Sequence, residues 1–263
     1  MPVTELEHAH AAAAGAEHKD AYVRDMFSAI APRYDLLNRV LSLNLDRWWR
    51  RRALATLDVS RRPNGCYLDL CAGTLDVTTA VARTAGFTGS VIGADFAEPM
   101  LRAGTAKLQS GERRTANGER QTEGERMRPV FPVAGDALAL PIASGSIAGA
   151  IVAFGLRNVA NIDAALREVA RVLEPGGQFV ILEFTTPTNP LIRLGYLTYF
   201  HHVLPRVGRW VSGHRTAYSY LPKSVEQSPL PPDLAARMTR AGFHDVRWEL
   251  LTFGVVAIHV GTK

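Results

Sequence analysis

The hydrophobic pattern changes its period once along the chain. Over residues 21–62 it is helical. Tyr22, Met26, Phe27 and Ile30 form one group at helix spacing, Leu36, Leu37, Val40 and Leu41 a second, and Trp48, Trp49 and Leu54 a third. Pro32 and the Arg61–Gly65 turn (RRPNG) punctuate that stretch. Beyond it, short apolar runs alternate with helical ones. Cys66–Leu70, Ser90–Asp95, Pro129–Val133, Ser146–Phe154 and Gln178–Phe184 read as strands. Helices are expected from about Asp76, from Pro99, over Ile162–Leu173 and over Asp233–Ala241. In the third of these, Ile162, Leu166, Val169 and Leu173 share a face, Asn161 supplies an N-cap, and Glu174-Pro175-Gly176-Gly177 supplies a stop. Two last strands, His244–Leu251 and Gly254–Gly261, are separated by a short turn, which predicts an antiparallel hairpin at one edge. The fold class is therefore α/β: seven strands in a mostly parallel sheet, with helices on both faces.

Two stretches stand outside this rhythm. Residues 1–20 are rich in Ala, His and Glu and lack a core pattern, which predicts a mobile tail. Residues 109–128 (QSGERRTANGERQTEGERMR) are polar and low in complexity, and read as an exposed loop or a frayed helix extension rather than a boundary. One domain over 21–263 follows, with 21–62 as a helical cap and 187–225 as a helical insert or lid.

Composition narrows the class. With 47% apolar residues in 263, the chain can bury a sizeable core and is not disordered as a whole. The two cysteines, Cys66 and Cys71, have no His or acidic set beside them, so neither a disulfide scaffold nor a metal site is expected. No apolar run approaches the roughly 18–20 residues that span a bilayer. Glu5, Glu7 and Glu17 sit where a signal peptide or transit peptide would be basic or apolar. A cytoplasmic protein is the expectation. Residues 33–62 hold eight arginines against three aspartates, an excess equal to the whole net charge of +5. Between Glu183 and Glu226 there is no acid, while Arg193, Arg206, Arg209, Arg215 and Lys223 are interleaved with aromatics. Such a mixture suits a membrane surface, an anionic ligand or nucleic acid, and equally suits solvated helix faces.

The candidate chemistry lies at strand ends, where open α/β sheets bind ligands. The first strand runs into Leu70-Cys71-Ala72-Gly73-Thr74-Leu75-Asp76. A glycine at position 73 lets backbone approach a ligand, and the next helix opens its N–H groups toward it. Asp95, 22 residues after Gly73 and ending the second strand, is placed to accept from two ribose hydroxyls. Gly135-Asp136-Ala137, ending the third, offers an acid for an adenine amino group and a backbone N–H for a ring nitrogen. The ordered set proposes an adenosine site. A dinucleotide loop would need G-x-G-x-x-G; Leu75 occupies the second glycine position and no third follows. A ligand without phosphates, S-adenosylmethionine, is favoured over NAD(P).

Several stretches carry a family resemblance over residues 22–263. They include Phe27-Ser28-x-Ile30-Ala31-x-x-Tyr34-Asp35-x-x-Asn38, Arg47-x-Trp49-Arg50, Phe154-Gly155-Leu156-Arg157-Asn158-Val159, Arg171-Val172-Leu173-x-Pro175-Gly176-Gly177 with Glu183, Tyr218-x-Tyr220-Leu221-x-x-Ser224, and Leu251-Thr252-x-Gly254-Val255-x-x-x-His259. The chain resembles the ubiquinone/menaquinone biosynthesis C-methyltransferases (UbiE/MenG type). The resemblance implies a class I methyltransferase fold and S-adenosylmethionine as cofactor. It implies a polyprenylated quinol as substrate, demethylmenaquinol first, with the ubiquinone pathway and another small aromatic or lipid substrate left open. It carries cofactor contacts onto Thr74, Asp95, Asp136 and Ala137. A further contact, often a serine, falls on Ala153 and leaves only backbone there. Asp46 stands where many members have His, Leu75 where they have Gly, and Glu174 where they have Lys.

A quinol ring carbon becomes a good nucleophile when a ring hydroxyl ionises, and a phenol pKa of about 10 makes that unfavourable at neutral pH. Arg157, after strand four, is the first candidate to hold the oxyanion or to position a water that takes the proton, with Asn158 and Tyr34 as hydrogen-bonding orienters. A helix-capping salt bridge is the competing role for Arg157. The Asn/Asp-Pro-Pro-aromatic tetrad typical of amino-directed methyltransferases is missing after strand four, which argues against a nucleic-acid substrate. The apolar and basic segment 190–210 could cover the tail and touch a membrane, or simply pack as core or as the contact of a homodimer. His201, His202 and His214 read as surface or core residues before acid–base candidates.

Overall fold

A computed structural model of the chain describes residues 19–31, 34–116, 127–199, 202 and 217–263. The tail at 1–18, residues 117–126 of the low-complexity stretch, and most of 200–216, with His201, His214 and Trp210, lie outside the described residues.

Three helices come first: α1 (Lys19–Ile30), α2 (Tyr34–Leu41) and α3 (Leu45–Leu57). The sheet follows, with β1 (Cys66–Leu70), β2 (Ser90–Asp95), β3 (Val130–Ala134), β4 (Ile147–Ala153), β5 (Leu173–Phe184), β6 (His244–Leu251) and β7 (Val256–Thr262). Between and around the strands run α4 (Asp76–Ala82), α5 (Glu98–Ala116), α6 (Ile162–Val172), α7 (Pro190–Thr198), α8 (Ala217–Glu226) and α9 (Pro231–Arg240). The seven strands take the order β3-β2-β1-β4-β5-β7-β6. All pairings are parallel except β5–β7 and β6–β7, so the expected antiparallel hairpin sits at the edge.

Burial explains why the central strands read as continuous apolar runs: both faces are covered. On one face Leu68, Leu70, Phe179 and Ile181 pack against Leu166 and Val169 of α6 and Met238 of α9. On the other, Tyr67, Val180 and Leu182 meet Trp49, Ala53 and Leu57 of α3 and Val81 of α4. A third cluster joins α1 (Val23, Met26, Ile30) to Tyr196 of α7 and Tyr220 and Val225 of α8. The cap and the insert thus roof the same end of the sheet.

One expectation is corrected. Glu174-Pro175-Gly176-Gly177 does not separate helix from strand: β5 begins at Leu173, directly after α6, and carries these residues as an irregularity in its pairing with β4. Gly176 takes φ +75°, and its N–H donates to Lys263 O at 2.7 Å, so the residue after β7 supplies the bond a turn would have supplied. At its start the low-complexity stretch takes the helix-extension alternative, since α5 continues to Ala116. Glu174, in this irregular segment, accepts from Arg62 at 2.6 Å.

Candidate active site

The chain winds from β1 outward through β2 and β3, then crosses to β4 on the other side of β1. That reversal opens a crevice at the carboxyl ends of β1 and β4. A cavity of about 240 Å³ lies there, lined among others by Gly73, Asp95, Asp136, Ala137, Ala153 and Asn158. Five predicted cofactor residues are thereby brought together.

The loop after β1 enters the left-handed region at Cys71 (φ 55°), Gly73 (φ 53°) and Leu75 (φ 63°). For leucine this conformation costs about 1–2 kcal/mol. Its fully buried side chain occupies the space a Cβ on Gly93 or Gly104 would claim, since such a Cβ would fall 2.6 Å and 2.7 Å from it. Burial of the isobutyl group offsets the strain, so the loop keeps a tight path without the family's glycine. Below it, Asp69 accepts from the N–H and hydroxyl of Thr78, fixing the start of α4. Burial pushes the Asp69 carboxyl up to about 7.

Asp95 is buried at the tip of β2. One carboxylate oxygen accepts from Gly73 N and the other from Ala97 N, both at 2.8 Å. Burial raises its pKa against the pull of these N–H groups. Each oxygen keeps a lone pair for a further donor, which suits two vicinal hydroxyls. Asp136 accepts from Leu138 N at 2.9 Å through Oδ1, leaving capacity for an amino group. These acceptors fit an adenosine. Thr74 is placed differently from its five companions. Its hydroxyl is buried, donates to Asp35 at 2.6 Å, and does not line the cavity. Asp35 is tied to Lys107, Lys107 to Asp76, and Asp76 to Arg50, which anchors α2 and α3 on the cofactor loop.

A second cavity, of about 400 Å³, adjoins the first. Phe27, Tyr34 and Phe154 line both. Its walls include Trp49, Phe184, Tyr196 and Leu41, with Arg157 among them. Phe154 and Phe184 approach to 4.6 Å between ring centroids, and Trp49 stands 6.0 Å from each. Gly155 permits this at the β4 tip, because a Cβ there would fall 2.3 Å from that of Cys71.

Arg157 is fixed at this junction. Its Nη1 donates to Glu183 at 2.7 Å and to the carbonyl of Phe154, and its backbone N–H donates to Glu183 at 3.2 Å. Both side chains of the ion pair are 7% exposed. Arg157 therefore lines the cavity while its ion pair reaches a carboxylate of β5, and the cap of the following helix is Asn161 instead. Lys19 donates to the carbonyls of Arg157 and Val159, tying α1 to the same turn, and burial lowers its pKa. Asn158 accepts from the Tyr220 hydroxyl at 3.2 Å, and burial pushes that phenol up to about 12. Burial also raises the Tyr34 phenol, despite Asn38, Arg50 and Arg157.

Glu183 was not among the candidates read from the sequence. The available signal was an acid inside the apolar strand QFVILEF, since a buried acid calls for a partner. The aromatic trio was also missed, because Trp49, Phe154 and Phe184 come from three distant segments. Of the histidines, His202 is exposed. Among the described residues no group of His, Cys, Asp and Glu could hold a metal ion.

The fold recurs in solved structures. An S-adenosylmethionine-dependent methyltransferase from Thermotoga maritima superposes with a TM-score of 0.59 at 15% identity, covering 92% of this chain and 99% of that one. A second, from Aquifex aeolicus, gives 0.51 at 14%, covering 81% and 97%. The demethylmenaquinone methyltransferase of Thermus thermophilus is 47% identical over 238 residues, 90% of this chain and 100% of that protein. The protein of the same name from Mycobacterium tuberculosis is 42% identical over 241 residues, 92% of each. With the profile of the ubiE/COQ5 methyltransferase family matching residues 16–263, the chain belongs to that family.

Proposed function

We propose that the chain transfers the methyl group of S-adenosylmethionine to a ring carbon of a polyprenylated quinol, converting demethylmenaquinol into menaquinol. One observation carries this reading: an acceptor-lined crevice suited to adenosine shares the Phe27, Tyr34 and Phe154 wall with a larger, mainly apolar cavity. S-adenosylmethionine, when bound, supplies an electrophilic methyl that needs no activation by the protein.

The residues do the rest. Asp95, Asp136 and the backbone at Ala137 and Ala153 hold the adenosine. Trp49, Phe154 and Phe184 present an aromatic surface to the ring. Arg157 stabilises the ring oxyanion once the hydroxyl proton has passed to water, the ring proton displaced by the methyl group leaves to water in turn, and Glu183 fixes the guanidinium before the substrate arrives. Tyr34, kept protonated by its raised pKa, donates a hydrogen bond rather than taking a proton. Asn158, with its oxygen committed to Tyr220, presents its amide N–H groups to the crevice.

The tail leaves toward α7 and the loop before α3. Ile192, Leu43 and Leu45 line the apolar cavity, while Leu43, Leu191, Leu194 and Phe253 are among the most exposed apolar side chains. Among the described residues no helix is long and apolar enough to cross a membrane. The reading is therefore a cytoplasmic protein resting on the inner face of the membrane through this rim, where apolar and basic side chains meet lipid. Mass spectrometry of the quinone pool after deleting the gene tests the reaction. Accumulation of the quinone lacking one ring methyl, reversed by the restored gene, is expected. An unchanged pool contradicts it.

A further inference from the structure

The second cavity carries a carboxylate that the mechanism above does not use. Asp46, in the first turn of α3, is 6% exposed and lines the cavity. Its Oδ1 accepts from the Ser42 hydroxyl at 2.7 Å, and its own N–H donates back to Ser42 Oγ at 3.4 Å. That exchange fixes the side chain at the entry of the helix. Arg50, one turn further along α3, lines the same cavity; its Nη1 donates to Asp76 at 3.0 Å, while its Nε is buried without a hydrogen-bond partner. Among the described residues no salt bridge reaches Asp46.

A carboxylate only accepts hydrogen bonds. Facing a mainly apolar cavity with one donor from the protein, it is satisfied by a ligand that brings a further donor, and it repels a ligand that presents an acceptor. A quinol has two ring hydroxyls. Arg157 holds the one that ionises, and the other remains an O–H donor. The oxidised quinone has carbonyl oxygens at both places.

We propose that Asp46 accepts a hydrogen bond from the ring hydroxyl that Arg157 does not hold, and so selects the reduced quinol over the quinone. The assignment rests on the quinol reading above. Asp46 then binds and discriminates; it takes no part in methyl transfer. Because methylation needs the electron-rich ring, the same contact keeps the unreactive oxidised form from occupying the site.

Anaerobic calorimetry with a short-tailed naphthoquinone, its hydroquinone and the hydroquinone's mono-methyl ether tests this. A hydrogen bond to a charged group is worth about 1.5–3 kcal/mol, so the wild type should bind the hydroquinone at least about tenfold more tightly than the quinone. In Asp46→Asn, whose amide can donate as well as accept, the ratio should fall to within about threefold, mainly through weaker hydroquinone binding, with adenosylhomocysteine affinity unchanged. Should the substitution disturb folding, the ether decides in the wild type alone. It keeps one donor, and its best binding mode should be about tenfold weaker than that of the hydroquinone if both ends are read. An unchanged ratio in Asp46→Asn, or equal binding of ether and hydroquinone, overturns the role of Asp46 and leaves the quinol reading standing. Failure of all three compounds to bind a wild type that still binds adenosylhomocysteine overturns the quinol reading and this inference with it.

Discussion

Arg157→Ala lowers turnover by about a hundredfold to a thousandfold while adenosylhomocysteine affinity stays within about threefold. That range is the usual cost of removing one pre-positioned donor from a developing oxyanion. The cofactor crevice does not use the guanidinium: Arg157 lines the second cavity and not the first. The substitution also strands Glu183, whose side chain is 7% exposed and paired with Arg157 at 2.7 Å. Breaking a buried pair from one side costs about 3–5 kcal/mol. The double variant Arg157→Ala/Glu183→Gln removes the stranded charge and should recover thermal stability without recovering turnover. Arg157→Lys keeps the charge but loses the planar fork, and should fall between wild type and Arg157→Ala. Single-turnover kinetics with melting curves separate these effects. Turnover of Arg157→Ala within about threefold of wild type removes the oxyanion role.

The second large effect is on cofactor binding. Asp95→Ala weakens adenosylhomocysteine binding by at least about a hundredfold, measured by calorimetry. Two hydroxyl contacts to a carboxylate are worth about 1.5–3 kcal/mol each, and the substitution also leaves Gly73 N and Ala97 N without their acceptor. Asp95→Asn should weaken binding less, because one of the two positions can still accept. Thr74→Val serves as the contrast. The Thr74 hydroxyl serves Asp35, so its loss should loosen the α2 attachment and lower the melting temperature, with a smaller effect on adenosylhomocysteine than Asp95→Ala. A Thr74→Val loss equal to that of Asp95→Ala would contradict the placement of this side chain.

Much of this arrangement was legible in the sequence, for physical reasons. Strands buried on both faces must be short apolar runs, so β1 and β2 could be read to the residue as Cys66–Leu70 and Ser90–Asp95. The N-cap at Asn161 was local, needing only its own helix, and its side chain does accept from Ala164 N at 3.0 Å. Strand ends with Gly73, Asp95 and Asp136 were legible because the parallel topology forces them to one crevice. What was not legible depends on partners far away in the chain. Glu174-Pro175-Gly176-Gly177 carries the local signature of a turn, yet Lys263, directly after β7, draws it into β5. Thr74 sits where a cofactor contact is expected, and only the position of Asp35, 39 residues earlier, turns its hydroxyl away. The Arg157–Glu183 pair spans 26 residues and two strands, so the sequence offered the arginine without what holds it.

The measurement that bears most directly on two adjoining cavities is the fate of the methyl group itself. Enzyme, demethylmenaquinol and S-adenosylmethionine labelled with carbon-13 at the methyl are incubated without oxygen, and the product is read by NMR. The account predicts label on a ring carbon, at the position ortho to a hydroxyl. Label on a ring oxygen, or no transfer by a preparation that binds both ligands, would contradict it.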